Sequence, residues 1–351
     1  MRERASMSYR YYFDYMKPNQ RKAYDAIYDG LSNMDSDIFV PGVSKMDDVM
    51  EIWRLVLADC PEIFYVLPTF STRSSGGKIT AHPSYSMKAS EVARKWGTIE
   101  RHRQSYLEGI DSKTSDYDCA LRAYEYIIRL CDYGFGENDQ NMSSVFCESK
   151  SSCAGYASAF KYLMDAANIP CLYAFGDVHG RLKDGAHAWN AVCIDGMWRW
   201  VDVTWGDPTV EGRPGTDVHY DYLLLTDKEL GRTHRADPDI ASVMPKCSGS
   251  SIDWFARNHM LFSSYEESRI ISCAVGCALW PEMMRREHGS CPMKFERAAD
   301  LERAERELVR EYVIAREIEN AYAQRGFRAY DFGHTINPEI AVLTINFKIG
   351  E

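Results

Sequence analysis

The dipeptide Asp195-Gly196 separates two strand-like runs, HAWNAVCI (187–194) and MWRWVDVTW (197–205). Asp-Gly between such runs is the strongest short-range hairpin signal, because a type I′ turn needs positive φ at both central residues. A two-residue turn also fixes register. Ile194 then faces Met197, and counting outward sets Trp189 opposite Asp202 and His187 opposite Thr204. Opposite residues share a face, as do residues two apart on one strand. His187 and Asp202 therefore project from one face as diagonal neighbours, roughly 7–8 Å apart at the backbone, a gap that an imidazole and a carboxylate span. A slip of one residue would put them on opposite faces, so the pairing depends on the turn.

A histidine held by a carboxylate is the orienting half of a nucleophilic triad, in which the acid fixes the tautomer and stabilises the imidazolium. Cys153, in SSCAGYASAF (151–160), offers the nucleophile. Ser151-Ser152 ahead of a helical run places its thiol near a helix N-terminus, where N–H groups and the macrodipole favour a thiolate. Ala154, Gly155 and Ala157 leave room for a substrate and for close packing of that helix on a sheet. Taken singly, each residue also has a structural reading: a cysteine ahead of a helix packs more often than it reacts, and a strand His or Asp is commonly a satisfied polar residue. The residues alone leave packed thiol and nucleophile both open.

The 351 residues carry a net charge of -10, which disfavours a nucleic-acid partner, since phosphate binding draws on clustered Lys and Arg. No window approaches the ~18 apolar residues of a membrane span, and the first twenty residues hold no apolar h-region, so a cytoplasmic chain is expected. A trimmed export signal would alter that expectation. The eleven cysteines form no CxxC pair, and the CxxxC of Cys273 and Cys277 has no second pair, so neither a disulfide scaffold nor a zinc site is expected. No cofactor or metal is expected.

Periodicity predicts helices over 19–31, 47–57 (Asp47 as cap), 90–110, 117–130, 153–168 and 297–324. It predicts strands in IFYVLPTFS, ITAHPSYSM, CLYAFGDV, the two hairpin runs, RIISCAVGCALW (269–280) and EIAVLTINFK. Turn clusters stand at 74–77, 134–136, 206–215 and 246–251. Helices followed by an antiparallel run give an α+β core. The expected division is an α/β lead-in over 1–112, a core over 113–235 and a C-terminal α/β module over 236–351.

The segments DQNMSSVFCESKSSCAGYASAFKYLMDAANIPC (139–171) and GAHAWNAVCIDGMWRWVDVTWGDP (185–208), with the order Cys, His, Asp, resemble the transglutaminase-like superfamily, particularly its bacterial members. The resemblance covers about 115–226 and joins three separated motifs, CAGYA, HAWN and VDVTW; FYVLPTFS and NHMLFSSYEE resemble flanking segments more weakly. It implies a papain-like core, a helix bearing the nucleophile packed on an antiparallel sheet bearing His and Asp. Carried over, Cys153 is the nucleophile, His187 the general base and acid, and Asp202 the orienter. Gln140 stands where related sequences often have Gln, either an oxyanion donor or a cap on the next helix. The backbone N–H of Cys153 is the preferred oxyanion donor. Trp189 and Trp205 match aromatic positions, read either as site or as core. Ser152 departs from the family, where a hydrophobic residue usually precedes the cysteine. Cys147 is a second thiol nearby, and His179 is placed in a loop at the cleft rim.

The resemblance implies a cysteine enzyme that forms a thioester from a peptide or protein amide and hydrolyses it, as a peptidase or amidase. Transfer of the acyl group to an amine, as in protein cross-linking, is the alternative; the calcium associated with that subgroup finds no DxDxDG pattern here. A binding or scaffold protein that keeps the fold without activity is the third reading. Substrate, acyl acceptor and oligomeric state are not fixed by the chain.

Overall fold

The computed structural model describes residues 8–136, 138–180, 184–207 and 218–350, so of the turn cluster predicted at 206–215 only positions 206 and 207 are described. The contacts divide the chain into two units, one of residues up to 227 with 234–248, the other of 228–233 with 249 onward. The first unit opens with α1 (Tyr11–Tyr15), α2 (Pro18–Ser32), β1 (Ile38–Val40) and α3 (Met46–Asp59). Then come β2 (Val66–Ser75), β3 (Lys78–Tyr85) and α4 (Ala89–Leu107). The predicted cap Asp47 lies inside the first turn of α3, whose N-cap is Lys45.

The chain continues through α5 (Asp116–Leu130), β4 (Asp132–Tyr133), α6 (Met142–Glu148), β5 (Lys150–Ser151) and α7 (Cys153–Ala166). The main sheet follows, with β6 (Cys171–His179), β7 (Asp184–Ile194), β8 (Met197–Val201) and β9 (Leu223–Leu225). After α8 (Asp227–Leu230), the strand β10 (His234–Ala236) returns to this sheet, and α9 (Pro238–Ala241) follows. Strand order is β10-β6-β7-β8-β9, every pairing antiparallel.

Helix α7 packs against β6 and β7, with α4, α5 and α6 beside it. It is buried almost all round, from Tyr156, Ala157, Ala159 and Phe160 to Leu163 and Met164. A helix apolar on every side belongs in the middle of a core. Its one buried cation, Lys161, holds Asp165 at 3.1 Å and the carbonyls of Tyr9 and Cys171 at 2.8 and 3.1 Å. The N-terminal segment is fastened by such groups: Asp59 accepts the backbone N–H of Tyr12 and of Phe13 at 3.1 and 3.2 Å.

In the second unit α10 (Trp254–Arg257), β11 (Leu261–Phe262), α11 (Glu267–Ala278), β12 (His288–Phe295), α12 (Ala298–Ala304), α13 (Val313–Ala323), β13 (Arg328–Asn337) and β14 (Val342–Gly350) follow in turn. Its sheet order is β11-β12-β14-β13. Two expectations are corrected here. The run 269–280, read as a strand, is the helix α11, with Ile270, Ala274, Cys277 and Ala278 buried. Those positions fit helical spacing, which the continuous apolar character of the run obscured. The helix expected over 297–324 is interrupted by a π-helical turn at Glu305–Val309 and by Tyr312, whose φ is 56°, before α13 begins.

Candidate active site

Cys153 is the first residue of α7, and its N-cap, Ser152, makes no side-chain cap. Ser152 Oγ instead donates to the Asp139 carbonyl at 2.9 Å and accepts from Gln140 Nε2 at the same distance. Ser151 and Ser144 bridge their hydroxyls at 2.7 Å in the same knot. Gly155 is required by this packing, since a Cβ there would stand 2.0 Å from Ser151 Oγ and 2.9 Å from the Asn141 carbonyl. The segment 138–152, with α6 and β5, is thus clamped to the first turn of α7, and Cys153 at the start of that helix is buried, 9% exposed.

The hairpin has the expected register from Ile194↔Met197 to Asn190↔Val201, with φ of 50° at Asp195 and 80° at Gly196. Beyond Val201 the expectation is corrected. The ladder with β7 stops there: the Asp202 N–H stays on the β9 side, bonded to the Tyr222 carbonyl at 3.0 Å, and Asp202 Oδ1 accepts the Trp205 N–H at 3.1 Å, closing an Asx-type turn. His187 lies within β7, paired with Gly176 on β6. His187 Nε2 nonetheless meets Asp202 Oδ2 at 2.7 Å, both side chains fully buried.

Burial disfavours a charged imidazole at His187, but the charge and hydrogen bond of Asp202, followed by Cys153, outweigh it and lift the group to about 9. Burial also opposes ionisation of Asp202, yet His187 and then His234 hold it well below the usual carboxylate range. An ionised Asp202 accepts a hydrogen bond from the Nε2–H of His187, which leaves Nδ1 as the nitrogen that exchanges a proton. Nδ1 is buried with no hydrogen-bond partner of its own, and after Asp202 the thiol of Cys153 contributes to holding the His187 imidazole protonated.

His234 was not expected. Its Nε2 reaches the same Asp202 Oδ2 at 3.1 Å, from β10 at the far edge of the sheet. A three-residue strand within GRTHRADPD has no periodicity, so nothing in the sequence places this histidine beside the others. Trp189 and Trp205 surround the two imidazoles. Trp189 stacks on His187 at 6.2 Å and meets His234 edge-on at 4.9 Å, while Trp205 lies 5.6 Å from His187 and 4.7 Å from His234.

A cleft of about 870 Å³ opens on this cluster through Gln140, Ala154 and His187. One wall is apolar, with Leu57, Ile63, Phe64 and Leu67; the other comes from Tyr173 and Phe175 on β6. Gln140 stands at the rim with its amide engaged by Asp139 Oδ1 and Ser152, and the cap of α6 falls to Asn141, which accepts from Ser143 N–H at 2.9 Å. Neither tryptophan is among the residues that line the cleft. Cys147 Sγ points at the Lys95 carbonyl on α4, and burial pushes its thiol up. His179, expected in a rim loop, ends β6 exposed beside Asp184 and is not among the cleft residues.

Among the described residues, His187, Asp202 and His234 are the group with metal-ligand character, their atoms within 4.8 Å of one another. The separations of 2.7 and 3.1 Å are those of hydrogen bonds. A zinc ion with bonds near 2.0–2.2 Å would have to enter a closed space and take each atom from its partner. No described helix is long and apolar enough to cross a membrane.

Residues 104–203 match the core of the transglutaminase-like superfamily. The kyphoscoliosis peptidases of Mus musculus and Homo sapiens are each 37% identical over 98 residues, 25% of this chain. The chain spans only 15% of the length of these curated relatives. Among solved structures, a TGase is similar at 15% identity over 39% of this chain and 44% of that one, with a TM-score of 0.27. The periplasmic domain of TgpA from Pseudomonas aeruginosa is similar at 18% identity over 38% and 58%, with a TM-score of 0.26. Structural likeness this low does not bear on the reaction.

Proposed function

Because residues 104–203 are a transglutaminase-like core within an α+β fold, we propose that this chain is a cysteine enzyme that opens a peptide or protein amide through a thioester on Cys153 and hydrolyses it. The observation that carries the reading is the 2.7 Å contact of His187 Nε2 with Asp202, which leaves Nδ1 to serve the thiol at the start of α7. His187 takes the thiol proton, and the thiolate adds to the amide carbonyl. The backbone N–H of Cys153 is the donor assigned to the resulting oxyanion, in preference to Gln140, whose amide is committed to Asp139 and Ser152. Collapse breaks the C–N bond as His187 returns its proton to the leaving amine. Water, deprotonated by the same imidazole, then releases the acid and restores the thiol. The cleft has room for several side chains on an extended peptide, which fits a main-chain amide.

Iodoacetamide labelling across pH 5 to 9, with the site read by mass spectrometry, tests this. Cys153 should label fastest of the eleven cysteines at pH 6, and His187→Ala should abolish the advantage. Labelling of Cys153 no faster than its fellows would favour a scaffold role. With a peptide substrate, kcat/KM should fall as pH rises through about 9, where His187 loses the proton that the leaving amine needs. Adding a primary amine then separates the acceptors: incorporation into product at the expense of free acid would point to cross-linking.

A further inference from the structure

We propose that His234 is a positioning residue for this site, holding the Asp202 carboxylate by donating its Nε2–H to the oxygen that also takes the Nε2–H of His187. This rests on the triad reading above and adds a fourth member to it. Strand register puts the two histidines on one face. Gly176 on β6 pairs with His187 on one side and with Ala236 on the other, and His234 lies two residues from Ala236 on β10. The imidazoles reach toward Asp202 from opposite flanks of β6, with ring centroids 5.6 Å apart.

Three donors meet the carboxylate, the two imidazoles at Oδ2 and the Trp205 N–H at Oδ1. One imidazole on Oδ2 would leave the group free to rock about its Cβ–Cγ bond. A second donor on the same oxygen, with the backbone N–H on the other, removes that freedom. His187 is then oriented by an acid that is itself oriented. Only the neutral Nε2–H tautomer of His234 suits this work, because a second imidazolium would compete with His187 for the single negative charge. Among the described residues, the titratable groups that act on His234 include Asp202, His187, the neighbouring Arg235 and the Tyr222 ring at 6.2 Å. Burial, joined by His187 and Arg235, outweighs the pull of Asp202 and keeps its affinity for a second proton below the ordinary value.

The test compares His234→Leu and His234→Gln in the full chain, reading Cys153 labelling between pH 5 and 9 with melting temperature alongside. His234→Leu should slow labelling at pH 6 by about 10- to 100-fold, the loss expected for one hydrogen bond to a charged group. His234→Gln, which keeps an N–H donor, should recover most of it. An unchanged profile in His234→Leu at an unchanged melting temperature overturns the assignment. Imidazole ¹⁵N spectra of the wild type test it without any substitution: both histidines should carry Nε2–H, and an Nδ1–H tautomer at His234 also overturns it. The His187→Ala control keeps the two readings apart. If wild-type labelling does not depend on His187, the triad falls and His234 with it; if it does and His234→Leu leaves it alone, only the His234 assignment falls.

Discussion

Asp202 and Asp59 are both fully buried carboxylates in the same unit, yet they have moved in opposite directions. Asp59 accepts the backbone N–H of Tyr12 and Phe13 and the Tyr24 hydroxyl, and burial still lifts it to about 7, against those bonds and the nearby charge of Lys161. Asp202 has a similar number of donors, but one of them is an imidazole that becomes a cation, and its affinity for protons falls instead. Neutral donors satisfy a buried carboxylate without keeping it charged; a contacting cation does both. The first arrangement suits a fastening point for the N-terminal segment. The second suits a site that must hold a charge ready.

Asp202→Asn should lower turnover about 10³- to 10⁴-fold with little change in substrate affinity, because the amide cannot hold the Nε2–H tautomer or balance an imidazolium. Steady-state kinetics on a peptide substrate would measure it. A matching collapse in thermal stability with KM rising as kcat falls would instead assign Asp202 to the fastening class.

Lys161 offers the converse experiment. It is fully buried against Asp165, which burial raises to about 6, and its charge is felt at Asp59. Lys161→Met leaves both carboxylates without a cation and should destabilise the protein by about 3–5 kcal/mol in urea unfolding. Cys153 labelling in the population that stays folded should be unaffected. A loss under about 1 kcal/mol would mean that the carboxylates simply protonate and that the cation matters little.

The hairpin was legible in sequence because a two-residue Asp-Gly turn leaves one register, and that register holds to Val201. The helix start at Cys153 was legible for a similar reason, a short polar run before an apolar one. What followed Val201 was not. Asp202 reaches His187 from a turn closed by its own side chain on the Trp205 N–H, while its backbone N–H is held on the β9 side by Tyr222, some twenty residues on. His234 was out of reach for the same kind of reason: a three-residue edge strand takes its place from partners distant in sequence. In the second unit the apolar run at 269–280 lacked the polar alternation that separates strand from helix, and tertiary packing decided it.

The finest discrimination between the two carboxylates comes from pH. A carboxyl raised in the folded state contributes stability that is fully present below its unfolded value near 3.9 and is lost as pH rises through about 7. Asp202 behaves oppositely: its contribution is present above about 3.9 and lost only as pH falls below that, so between pH 4 and 8 it is silent. His187, raised to about 9, begins to lose stability in the upper part of that window, but equally in wild type and in an Asp59 variant. Asp59→Asn keeps an oxygen acceptor for Tyr12 and Phe13 while removing the titration. The melting temperature of the variant relative to wild type should therefore climb by a few degrees from pH 4 to pH 8. A flat difference would mean that Asp59 remains charged throughout, and that Lys161 reaches it as effectively as His187 reaches Asp202.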